Sequence, residues 1–134
     1  PVHWNNSLEE LKPYRIGIVR GYANAPEFDK ADFLNKKVSK TEILNLKKLI
    51  FKQADLIVMD RFSGRYLINE KLPEHEKDLL IPLSPPLYVH KLYLIFSKKV
   101  PNAQQKLDAF NSGLKAIIKD GSFNRILAKY GFEK

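Results

Sequence analysis

Residues 15–28 read RIGIVRGYANAPEF. Ile16-Gly17-Ile18-Val19 is a strand-like apolar run that stops at Arg20-Gly21. A loop with Tyr22, Ala23 and Asn24 follows, and Pro26-Glu27-Phe28 opens a helix, with proline in the first turn. A strand that feeds a glycine turn and then a helix is a common seat for a ligand. It is also an ordinary way to join the two elements. A single glycine is not the GxGxxG fingerprint, and no GxxxxGK[ST] phosphate loop occurs. Both readings stay open on the local sequence.

The same alternation continues on both sides of this stretch. Residues 7–12 (SLEELK) suit a short helix capped by Asn6 or Ser7. Residues 26–34 suit a helix and 37–39 a brief strand. Ser39 and Glu42 have capping-box spacing, and Ile43, Leu46, Leu49 and Ile50 recur at three and four, which predicts an amphipathic helix to about Phe51. Residues 55–59 (DLIVM) are apolar on both faces, as a buried parallel strand would be. Asp60 ends that run, a helix is expected over 62–72, Pro73 closes it, and LLIPL at 79–83 is read as a further strand.

Ser84-Pro85-Pro86 breaks the chain, and 87–96 reads as extended. Asn102 is expected to cap a helix striped by Leu107, Phe110, Leu114 and Ile117 or Ile118. Phe123, Ile126, Leu127 and Tyr130 stripe a last helix ended by Gly131. Strand and helix in alternation predict an α/β fold: an open, mostly parallel sheet with helices on both faces, plus C-terminal helices. Such sheets bind ligands outside the carboxyl ends of their strands. The Arg20-Gly21-Tyr22 loop and Asp60 both fall at such ends, and they face one crevice if their strands are neighbours.

The bulk numbers narrow the chemistry. The chain has 134 residues, no cysteine, and a net charge of +8 from 23 basic and 15 acidic residues. Disulfides and thiolate chemistry are excluded. The basic residues are mostly lysines spread along the chain, without an arginine-rich run interleaved with aromatics, so a solvated basic surface is expected and no nucleic acid. No apolar run approaches the length of a membrane span. Pro1 is not a translation start, so a mature, trimmed or partial chain is expected.

His3, His75 and His90 are scattered, and Glu74-His75-Glu76 lacks zinc-helix spacing, so no metal and no cofactor are expected. Ser63 does not lie in GxSxG, and Glu9-Glu10 belongs to a helix surface. Asp60 reads equally as the cap of the next helix and as a carboxylate for a ligand ammonium, and its two oxygens allow both. Tyr88 and Tyr93 alternate with apolar residues, a packing pattern; lining a cleft is the other reading.

Three stretches together resemble one family. SLEELKPYRIGIVRGYA, LKKLIFKQADLIVMDRFSGRYLI and YLIFSKKVPNAQQKLDAFNSGLKAIIKDGSFNRILAKYGF are similar, in that order, to the family 3 extracellular solute-binding proteins of amino-acid-type ABC importers. Two departures stand out: Gly21-Tyr22-Ala23 where the family usually has Gly-Thr-Thr, and Lys52-Gln53 where it has Gly-Arg.

The resemblance implies one lobe of a type II periplasmic binding protein over residues 1–96, crossover segments included. It implies a C-terminal helical tail over 97–134 that returns to a first lobe missing from this chain. It further implies a periplasmic protein that is not an enzyme. Its ligand is expected to be a small zwitterion such as an amino acid, contacted by Gly21, Tyr22, Ala23 and Asp60. The membrane subunits of an importer are its expected partners. A sensor domain of a signalling protein, or a dehydratase-like enzyme on the same fold, are the alternatives. Without a first lobe, the two striped helices are expected to fold back on residues 1–96 or to pair between chains as a dimer or domain swap.

Overall fold

The computed structural model describes residues 2–132. It contains two compact units, one reaching Val89 and the other starting at His90.

In the first unit a 3₁₀ turn, Leu8–Leu11, precedes strand β1, Arg15–Val19. Helix α1 (Pro26–Lys30), strand β2 (Asn35–Ser39) and helix α2 (Glu42–Ile50) follow, then strand β3 (Leu56–Ile57) and helices α3 (Arg61–Lys71) and α4 (Glu74–Lys77). The sheet has three strands in the order β2-β1-β3. Both pairings are parallel, with Ile16 opposite Lys36 and Leu56, and Gly17 opposite Lys37 and Ile57. The expected α/β class with an open parallel sheet is therefore what the chain forms.

The period of two along β1 assigns its faces. Ile16 joins Leu11, Ala25, Phe28, Ala31 and Leu34 in a buried apolar cluster, with Ile18, Leu56 and Val58 against it. Phe28 is fully buried, a burial that contributes about 1.5–3 kcal/mol. Gly17 faces the other side. A methyl group there would run into the Asn45 side chain and come within 3.0 Å of Ile57. Helices thus cover both faces, α1 on one and α2 on the other.

Asn45 is fully buried beneath the sheet. Its Nδ2 donates to the carbonyls of Gly17 (3.2 Å) and Val58 (3.3 Å), and its Oδ1 accepts from Ser39 Oγ at 3.3 Å. One amide thereby ties β1, β2 and the chain leaving β3. At the amino end of the sheet, the Arg15 guanidinium meets the Asp55 carboxylate in a fork of 2.8 and 3.0 Å, and Arg15 N–H donates to the same carboxylate at 2.8 Å. Asp55 returns its own N–H to the Arg15 carbonyl at 2.8 Å.

Four local expectations are corrected. The cap of α2 is Thr41, whose hydroxyl accepts from Leu44 N–H at 3.3 Å; the Ser39 hydroxyl is taken by Asn45. Helix α1 ends at Lys30 rather than 34, because the backbone turns extended at Ala31 and folds Ala31 and Leu34 onto the core. Strand β3 is only Leu56–Ile57, although the N–H groups of Asp55 and Val58 extend its bonding to β1.

Residues 79–83 form no strand. The N–H groups of Leu79 and Leu80 complete turns on Glu76 and Lys77, and Pro82 has none to offer a ladder. Leu79 and Ile81 are left 68% and 82% exposed.

The second unit holds helices α5 (Ala103–Lys119) and α6 (Ser122–Lys129), which pack on each other. Asn102 occupies the cap position of α5 without a side-chain cap bond, at φ +58°. The Ser122 side chain and then its N–H, which donates to Asp120 Oδ1 at 2.8 Å, lower the Asp120 pKa. No residue of either helix is buried, and Phe110, Ile118, Phe123, Ile126 and Tyr130 of the expected stripes are exposed.

Replacing Asn45 with alanine removes the clasp and leaves a cavity, and it is expected to cost about 3 kcal/mol in urea denaturation. Gly17→Ala is expected to destabilise by about 1–3 kcal/mol through the collision with Asn45. The Arg15 hydrogen bonds hold the Asp55 carboxyl down at about 2. A depressed carboxyl stabilises the fold above its unfolded pKa of roughly 3.9, and the contribution fades as pH falls from there through the folded value. Denaturation midpoints of the wild type should therefore fall between about pH 4 and pH 2 more steeply than those of Asp55→Asn.

Candidate functional site

The carboxyl edge of the sheet is where the chain leaves β1 and β3. These strands are neighbours and parallel, so their ends share one edge. The condition set by the sequence is met: the Arg20-Gly21-Tyr22 loop and Asp60 stand on the same edge.

The loop is a tight turn. Tyr22 N–H donates back to the Val19 carbonyl at 3.3 Å, and Arg20 N–H to the Ser39 carbonyl at 2.9 Å. Gly21 sits at φ +79° with nothing within 4 Å of where a side chain would start. Its glycine is required by the backbone conformation and not by a close neighbour. The N–H groups of Gly21 and Ala23 have no acceptor among the described residues. Tyr22 is 56% exposed.

Beyond the turn, Asn24 is held by Asp29, whose carboxylate accepts from Asn24 N–H at 2.9 Å and from its side-chain amide at 2.8 Å. Helix α1 is a single short segment with a proline in its first turn and no side-chain cap bond. Asp29 already supplies negative charge at this point, so the geometry does not favour an anion at the start of α1.

Asp60 is the N-cap of α3. Its Oδ1 accepts from Phe62 N–H at 3.0 Å and Ser63 N–H at 2.9 Å. Its Oδ2 accepts no hydrogen bond from the described residues, and the side chain is exposed. The cap and the outward carboxylate oxygen therefore coexist. Gly64, one turn on, lets α3 lie against Met59, whose sulfur would be 3.2 Å from an added Cβ.

A second feature was not legible as a site in the sequence. An open groove of about 350 Å³ runs between the N-terminal segment, the start of α1 and the segment after Pro86. Trp4, Leu8, Glu27, Phe28, Leu87 and Tyr88 line it. The Trp4 indole N–H donates to the Pro85 carbonyl at 2.6 Å, which brings the two segments together across 81 positions of sequence. The aromatic alternation around Tyr88 was the only local signal of it. Among the described residues no group of three or more His, Cys, Asp or Glu side chains is placed to hold a metal ion, and no helix is long and apolar enough to cross a membrane.

No protein-family model, curated protein or solved structure matches this chain.

Gly21→Ala is expected to cost about 1–2 kcal/mol in urea denaturation, because an L-residue is forced left-handed there although the space is open. Stability equal to the wild type would show that the turn relaxes to another conformation.

Proposed function

We propose that the first unit is one jaw of a solute-binding protein for a small polar zwitterion, an amino acid or a close relative. The observation that carries this is the pairing of β1 with β3, which sets the Gly21 loop and the outward oxygen of Asp60 on one sheet edge. Asp60 receives the ligand ammonium through a charge-assisted hydrogen bond. Tyr22 forms a wall, and the N–H groups of Gly21 and Ala23 are the donors the loop offers.

The bond between Trp4 and Pro85 supports the same reading. Trp4 and Pro85 belong to the two segments, near 1–6 and 85–96, that the family resemblance assigns to the crossovers between lobes, and the bond joins them at that point. A second jaw, the first lobe, closes on the ligand by hinge motion. Binding and delivery to importer membrane subunits in the periplasm is the role, with no reaction catalysed.

The test is titration calorimetry of the intact two-lobed protein against an amino-acid panel. Asp60→Asn keeps the helix cap and removes the charge. It is expected to weaken ammonium ligands by about tenfold or more, with the unfolding midpoint unchanged. Asp60→Ala is expected to lose the same affinity and about 1 kcal/mol of stability besides. Wild-type affinity in Asp60→Asn removes Asp60 from the site.

A further inference from the structure

The groove at Trp4 lies outside the Gly21 and Asp60 edge, and its chemistry differs. Its walls are mainly apolar: Leu8, Phe28, Leu87, and the rings of Trp4 and Tyr88. The indole N–H of Trp4 is committed to Pro85, so what Trp4 offers the groove is ring surface. Among the described residues the one charged side chain in the lining is Glu27, and its carboxylate takes no hydrogen bond or ion pair from them. Although the chain carries a net charge of +8, no lysine or arginine among the described residues lines the groove.

A volume of about 350 Å³ falls in the range that small ligands occupy. An aromatic face and a carboxylate are both attracted to a cation, and the apolar walls favour a flat or branched hydrocarbon body. An anion would meet Glu27 with no basic partner among the described lining residues to offset it. A neutral apolar molecule would leave the carboxylate partly desolvated and unpaired.

We infer that the groove of Trp4, Leu87 and Tyr88 binds a small organic ammonium with an apolar or aromatic body, with Glu27 as the counter-charge. This site is independent of the role given to Asp60.

Trp4 is the only tryptophan in the chain, so its fluorescence reports on the groove alone. The probe is 2-phenylethylammonium, titrated into the full chain, with phenylacetate and 2-phenylethanol as anionic and neutral partners of the same shape. Saturable change in Trp4 emission is expected with the ammonium, at an affinity at least about tenfold above that of either control. Glu27→Gln is expected to lose that preference, with circular dichroism unchanged because Glu27 is exposed and unbonded. Asp60→Asn is expected to leave the titration as in the wild type, which separates this site from the sheet edge. The inference is overturned if the ammonium gives no saturable change, if the three probes bind alike, or if Glu27→Gln retains the preference. Loss of the ammonium response in Asp60→Asn would also overturn it, by assigning the response to the other site.

Discussion

The buried amide of Asn45 is the constraint on which the arrangement of this sheet rests. An amide carries donors and an acceptor, and a buried one must satisfy them or cost about 1–3 kcal/mol for each group left unpaired. Asn45 does so by reaching Gly17, Val58 and Ser39, one partner on each line of the sheet. That set of partners exists in only one strand order and one register. A slip of β3 by one residue would turn the Val58 carbonyl away, and a side chain at position 17 would fill the space the amide occupies. Gly17 and Asn45 are therefore a matched pair, and together they make β1 and β3 neighbours.

The other fixings of the sheet have different weights. The fork between Arg15 and Asp55 pins the amino ends of β1 and β3, but both side chains are partly exposed at 42% and 36%, so water screens the attraction. Its contribution is mainly geometric, since it holds the two strand starts level. The apolar cluster around Phe28 supplies most of the driving force on the α1 face. Toward the carboxyl edge the ties are hydrogen bonds, from Arg20 N–H to the Ser39 carbonyl and from Asn45 to Val58, with Ser39 donating to Asn45. There the strands end in a glycine turn and a helix cap, which leaves polar groups facing solvent. A sheet held in this way can present such groups at its carboxyl edge without loss of order.

Much of this was legible in the sequence, and the exceptions have physical causes. The apolar run of β1, the threes and fours of α2 and the Asp60 cap of α3 are local signals, and each was read within a few residues. Asn45 was not, because a polar residue beside Leu46 looks like the solvent side of a stripe. Only the absence of a side chain at Gly17, 28 positions away, gives it a place. The Ser39 and Glu42 spacing suggested a capping box, yet the hydroxyl of Ser39 had a buried partner and Thr41 took the cap. LLIPL has strand composition, but two of its N–H groups close turns and one residue has none. The groove is assembled from segments that are distant in sequence, so no window of the chain displays it.

The two outward carboxylates differ in a way that bears on what each can hold. Asp60 is fixed: two backbone N–H groups hold Oδ1, so Oδ2 is presented in one direction before any ligand arrives. A group ordered in advance loses little entropy on binding, and it can favour a ligand by the direction of its ammonium. Glu27 has no such tether among the described residues, and its longer side chain must be ordered by whatever it meets. Direction is therefore a weak source of selectivity in the groove, where shape and the rings of Trp4 and Tyr88 have to supply it. A single ligand chemistry, the ammonium, would thus be sorted by geometry at the sheet edge and by its apolar body at the groove.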